Sequence, residues 1–86
     1  MTLNELNEIF EGSQPTPKNV PSWKIADISK KVNVTLEIDR QTLEYYYSIP
    51  VKDILNSKMT REELEALDDE GWVLDNKKQS LVIFIV

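Results

Sequence analysis

The chain contains no histidine and no cysteine, only two glycines, and no apolar run longer than the six residues LVIFIV at 81–86. Each absence removes a class of function. Without histidine or cysteine there is no Ser-His-Asp or Cys-His nucleophile, no Cys/His zinc site, no haem thiolate and no disulfide. Two glycines leave no Gly-rich phosphate loop, and both read instead as helix caps. Six apolar residues cannot cross a bilayer. The opening stretch, MTLNELNEIFEG, is acidic and lacks the basic start and long apolar core of a signal peptide. The expectation is therefore a cytoplasmic, intracellular protein without membrane contact, on which the Asn33-Val34-Thr35 sequon is chance. Positive charge is also scarce. Ten basic against fifteen acidic residues give a net −5 and a pI near 4.6. Direct nucleic-acid binding, which depends on neutralising phosphates with Lys and Arg, is not expected.

What is present is enough to fold. Leu, Ile, Val and Phe supply 26 of 86 residues, above the roughly 20% below which chains stay disordered. The length supports one domain with a radius of gyration of about 12 Å. A deep catalytic cleft is hard to build in that volume. No carboxylate pair sits in a recognisable motif, so the chain reads as non-enzymatic, with no cofactor and no metal.

Residues 2–11 read as a helix: Thr2 and Glu5 form a T-x-x-E capping box, Met1 is placed to staple to Leu6, and Leu3, Leu6, Ile9 and Phe10 share one face before Gly12 at C′. SQPTPKNVPS at 13–22 holds three prolines and reads as a semi-extended linker. WKIADISKK at 23–31 admits a strand or a short helix, with a strand favoured. At 32–38 the alternation is strict, with Val32, Val34, Leu36 and Ile38 on the core side. After a turn at Asp39-Arg40-Gln41 the chain returns as a strand at 42–49, placing Leu43, Tyr45, Tyr47 and Ile49 on the core face and Tyr46 on the other. Pro50 stops this strand, and Val51, Ile54 and Leu55 form one helical turn. Residues 60–70 are the best-signalled helix, with a Thr60/Glu63 capping box, Met59 stapling to Leu64, Leu64 and Leu67 inward, Gly71 at C′ and Trp72 as its hydrophobic partner. A second hairpin joins 72–75 to 80–86 around Asn76-Lys77-Lys78.

The fold expected is α+β: a small antiparallel sheet of four to five strands, one packed helix at 60–70, and an N-terminal amphipathic helix at 2–11 on a proline-containing linker. The division is helix 1–12, linker 13–22 and a single α+β domain 23–86.

Two features point to function. The first is charge placement: residues 59–71 alone carry −5, and the other segments cancel. Glu62, Glu65, Asp68, Asp69 and Glu70 are the candidate acidic partner-binding face. A solvated helix face is the plain explanation of such a run. However, Asp68, Asp69 and Glu70 fall at the helix C-terminus, where the dipole disfavours acids with no visible compensation. The string DDEGWVLD lacks the ligand spacing of a calcium loop.

The second feature is apolar. In LVIFIV, Val82, Phe84 and Val86 point away from Leu81, Ile83 and Ile85. With Tyr46, and with Leu6 and Phe10 of the tethered first helix, they are the candidate apolar residues for partner binding or self-association. Against this stands a central strand covered on both faces, the first helix folding back over the second. Strand addition to another chain is a third reading. The Tyr45-Tyr46-Tyr47 run has no accompanying basic cluster for base stacking.

Taken whole, the pattern resembles in a generic way the small acidic accessory proteins of bacteriophages and mobile elements, and that resemblance implies binding and blocking of a nucleic-acid-handling protein. The sequence thus reads as a non-catalytic protein-binding module, an inhibitor that offers an acidic helix face to a partner protein with a basic surface. The alternative is a structural protein that self-associates through the two-sided C-terminal strand and the tethered helix, which leaves a homo-oligomer open.

Overall fold

The structure, a computed structural model, describes residues 1–14 and 17–86. The elements run α1 (Leu3–Ile9), α2 (Ser22–Ile28), β1 (Thr35–Ile38), β2 (Tyr45–Pro50), α3 (Val51–Leu55), α4 (Arg61–Glu70), β3 (Val73–Asp75) and β4 (Ser80–Phe84). The four strands form one antiparallel sheet in the order β1-β2-β4-β3, so the last strand lies inside the sheet. The architecture is α+β, and the radius of gyration is 11.9 Å.

Both expected capping boxes form. Thr2 accepts from the Glu5 N–H and Thr60 from the Glu63 N–H, each glutamate reaching back to the cap backbone. These reciprocal bonds satisfy donors that a helix start otherwise leaves open. Gly71 closes α4 at φ +109°, and the Trp72 N–H returns to the Leu67 carbonyl at 3.1 Å. Gly12 is also left-handed, at φ +77°, but the C-cap of α1 is Phe10, so Gly12 lies one residue beyond C′ and not at it as expected.

One face of the sheet carries the core. Ile49, Leu81 and Ile83 of the two inner strands meet Leu6, Ile9 and Phe10 of α1, Val51 and Ile54 of α3, and Leu64, Leu67 and Trp72 from α4 and its cap. α1 is thus packed into the same core as the sheet, and Leu6 and Phe10 are buried rather than presented outward. The stretch after it is also tied down. Lys18 lies beside Ile85 as a parallel bridge, donating to the Phe84 carbonyl at 2.9 Å and accepting from the Val86 N–H at 3.1 Å. Residues 15 and 16 of the expected linker lie outside the described residues.

Three expectations are corrected. Residues 23–31 are not a strand: α2 starts directly after Pro21. A strand would send Ile25 and Ile28, three apart, to opposite faces, whereas a helix turns both onto the core, where both are half-buried. The second concerns β1, which begins at Thr35 rather than 32. Val32 is buried and Val34 half-buried, but Leu36 and Ile38 are exposed, because the helices cover the inner strands and do not reach this edge. The third is the return strand, which begins at Tyr45. Leu43 does not face the core: it sits in a longer turn at φ +62°, its N–H bonded to the Asp39 carbonyl at 2.7 Å, and it is exposed. The Asp39 carboxylate caps that turn by accepting from the Gln41 N–H at 2.9 Å. Tyr45 is exposed at the strand end, while Tyr47 and Ile49 do line the core.

Candidate functional site

The acids of α4 fall into two stripes. Glu63 and Glu70, seven residues apart, turn toward α2. Glu70 lies 3.5 Å from Lys24, and Glu63 binds Lys31 just beyond the end of α2. Lys24 and Lys31 are also seven apart, so the two segments run antiparallel with matched spacing. The Glu63 carboxyl is held below its ordinary value by the Lys31 hydrogen bond first and the Thr60 N–H second. Glu62, Glu65 and Asp69 form the outer stripe, all exposed. Arg61 bridges Glu65 at 3.7 Å and Glu8 of α1 at 3.9 Å. Among the described residues Glu62 and Asp69 make no ion pair.

Two of the three C-terminal acids are compensated within the chain, contrary to the expectation that nothing offsets them, while Asp69 stays exposed with no ion pair among the described residues. Asp68 accepts a hydrogen bond from the Ser13 hydroxyl, and Glu70 holds Lys24. The Lys18 stem passes over Gly71 so closely that a Cβ there would lie 3.0 Å from its Cε. A lysine beside the last turn is the charge that a helix C-terminus favours.

Between α2 and α4 runs a groove of about 280 Å³. Its floor is apolar, made by Ile28, Met59, Ala66 and Leu67, and the two Lys–Glu pairs stand at its rim. Trp23 flanks it, 66% exposed, with the Lys24 ammonium 5.7 Å from its ring centroid. The volume lies at the lower end of the roughly 300–1,000 Å³ of ligand-sized sites and has room for a large side chain. Trp23 is not among the residues that the sequence singles out. The three-residue step from Ile25 to Ile28 was the available signal, since a helix at 22–28 has no room for Trp23 among its inward positions.

The second sheet face carries Tyr46, Val73, Val82 and Phe84, packed against each other as a cluster separate from the main core. The Tyr46 and Phe84 rings lie 5.3 Å apart, and the Lys78 ammonium sits 5.3 Å above the Tyr46 ring. Tyr46 and Val82 are buried and Phe84 is half-buried, so little of the expected patch is exposed. Only Val86 is fully outside, 93% exposed. Helix α1 does not fold over this face; its buried residues belong to the other one.

Among the described residues no group of three or more carboxylates gathers as a metal-holding cluster, and no helix is long and apolar enough to cross a membrane. No family model matches the chain, and no curated protein or solved structure matches it either.

Proposed function

We propose that the chain is a small non-catalytic protein-binding module that uses its α2–α4 face against a partner protein with a basic surface. The exposure of Trp23 carries this reading. Tryptophan is the residue type most enriched among interface hot spots, and here it stands beside an apolar groove sized for a side chain. The outer stripe of α4 supports the charge of the partner: among the described residues Glu62 and Asp69 have no cation of their own, and Glu65 shares Arg61 with Glu8. Such a stripe steers a basic surface and speeds encounter at low salt.

The specific form of the reading is an intracellular inhibitor of the kind that bacteriophages and mobile elements carry, blocking the site it covers. The test is capture of partners by the immobilised full chain at low and high salt. It compares the wild type with Trp23→Ala and with Glu62→Lys/Glu65→Lys/Asp69→Lys. We expect a salt-sensitive partner lost with both variants. Capture unchanged by either variant overturns the reading.

A further inference from the structure

We propose that β1 is the pairing edge of a homodimer, in which β1 of two copies lie antiparallel across a two-fold axis perpendicular to the sheet. The proposal is independent of the α2–α4 face.

The backbone supplies the first argument. The Asp39 N–H donates to the Glu44 carbonyl at 2.8 Å, which makes 39 and 44 a hydrogen-bonded pair. Antiparallel pairs alternate, so with the register Glu37↔Tyr46 and Thr35↔Ser48 those residues also face β2. Leu36 and Ile38 then belong to the pairs that exchange no hydrogen bonds. The other side of β2 agrees: the Tyr45 carbonyl accepts from the Ile85 N–H at 3.0 Å, so Tyr45 turns its backbone to β4 and not to Ile38. The N–H and C=O groups of Leu36 and Ile38 therefore point out of the sheet, where β1 is the terminal strand.

The side chains supply the second. Leu36 and Ile38 are 54% and 40% exposed, and Tyr45, directly across from Ile38 on the same face, is 53% exposed. Leu43, in the adjoining turn, is 71% exposed. Leu in the left-handed region costs about 1–2 kcal/mol, so this residue is held outward at some expense. Exposed apolar residues along an open strand edge form a template for another strand.

The contrast between the two edges is the third. β3 has only three residues, and beyond Val82 the same side of β4 is closed by Lys18. The β1 edge has no lysine, no proline and no bulge to discourage pairing.

Charge selects the register in which a second copy fits. The perpendicular axis keeps like faces together, and only outward-turned residues can exchange hydrogen bonds. Three registers set outward-facing strand residues against each other. Leu36 opposite Ile38 places Glu37 against its own counterpart, and Ile38 opposite itself places Glu37 against Asp39. Like charges directly opposed are destabilising. Leu36 opposite itself avoids both: Glu37 meets Thr35, Ile38 meets Val34, and an apolar row runs Tyr47, Leu36, Leu36, Tyr47 through the joined sheet. A second copy of the chain thus fits its own edge.

Sedimentation equilibrium on the full chain, from low micromolar to millimolar concentration, is expected to show a monomer–dimer equilibrium. The Leu36 and Ile38 amides should exchange slowly in the dimer and quickly on dilution. Leu36→Pro removes an outward N–H without breaking a bond to β2 and should weaken dimerisation at least tenfold. Thr35→Glu and Thr35→Lys change an exposed side chain that faces Glu37 of the second copy. They should shift the dimer dissociation constant several-fold in opposite directions, weaker for Glu and tighter for Lys. A strict monomer at millimolar concentration overturns the proposal. So does a dimer indifferent to both Thr35 variants whose Leu36 and Ile38 amides exchange freely.

Discussion

Lys24 of α2 lies 3.5 Å from Glu70 of α4, and seven residues along each segment Lys31 meets Glu63. α2 has no fully buried residue; Ile25 and Ile28 are half-buried, and the ion pairs complete its attachment. An element with so little buried apolar contact belongs to the low-stability end of a structure.

Breaking one pair should therefore loosen α2 without unfolding the protein. We expect Lys24→Ala to lower global stability by less than about 1 kcal/mol, the scale of partly exposed ion pairs. Amide exchange through residues 25–29 should accelerate, and added salt should act in the same direction on the wild type. Protection of α2 equal in both proteins at every salt concentration would show that the ion pairs do not hold it.

Acid should act on the second pair. The Glu63 carboxyl sits below its ordinary value of 4.5 because the Lys31 ammonium and the Thr60 N–H favour its charged form. Its folded value is lower than its unfolded one, so its contribution is fully present above the unfolded value. It disappears as the pH falls through the folded value. Glu63→Gln should flatten the acid limb of a stability-versus-pH curve below about pH 4.5, leaving the neutral region nearly parallel to the wild type. An acid limb of unchanged slope would contradict the pairing.

The two glycines are not equivalent. At Gly12, φ is +77° and a Cβ would meet nothing within 4 Å; at Gly71, φ is +109° and it would press on the Lys18 stem at 3.0 Å. Gly12→Ala should cost about 1 kcal/mol from the left-handed backbone alone. Gly71→Ala should cost more, since its backbone lies further from the left-handed well open to alanine. It must also displace the lysine that lies against the helix end. Urea denaturation of the two variants ranks them, and the reverse order would count against this account.

The two tryptophans report different places. Trp72 is fully buried, and its indole N–H finds no acceptor among the described residues. Trp23→Phe should leave a blue-shifted emission that iodide does not quench, and Trp72→Phe a red-shifted, quenchable one. Trp72→Ala should cost about 3–5 kcal/mol as a large core truncation. Trp72→Phe should cost less, because no hydrogen bond is lost with the indole. Iodide quenching of the Trp72-only protein would place that side chain at the surface.

These positions also show what a single sequence conveys. The capping boxes at Thr2 and Thr60, the Gly71 cap and the opposite facing of Tyr46 were legible because each depends on neighbours within a few residues. Alternation told which way Leu36 and Ile38 point, but not whether anything covers that side. Coverage is decided by helices far away in sequence, and they pack on Ile49, Leu81 and Ile83 instead. Residues 23–31 admit both readings because nine residues are too few to separate the two periods, and docking onto the core decides for the helix. Asp68 and Glu70 at the end of α4 looked unopposed because their partners, Ser13 and Lys24, lie more than forty residues upstream.

The order of the sheet also sets a timetable for synthesis. β4 bonds to both β2 and β3, yet it is made after the other seven elements described. While it is still inside the ribosomal tunnel, β1 and β2 are an isolated two-stranded hairpin, marginal in water by itself. Leu6, Leu64 and Trp72 meanwhile lack the Leu81 and Ile83 side chains that complete their surroundings. The nascent chain therefore has no cooperative stopping point short of residue 84. Ribosome-stalled chains that expose residues 1–79 should remain protease-sensitive, and resistance should arrive in one step once β4 emerges.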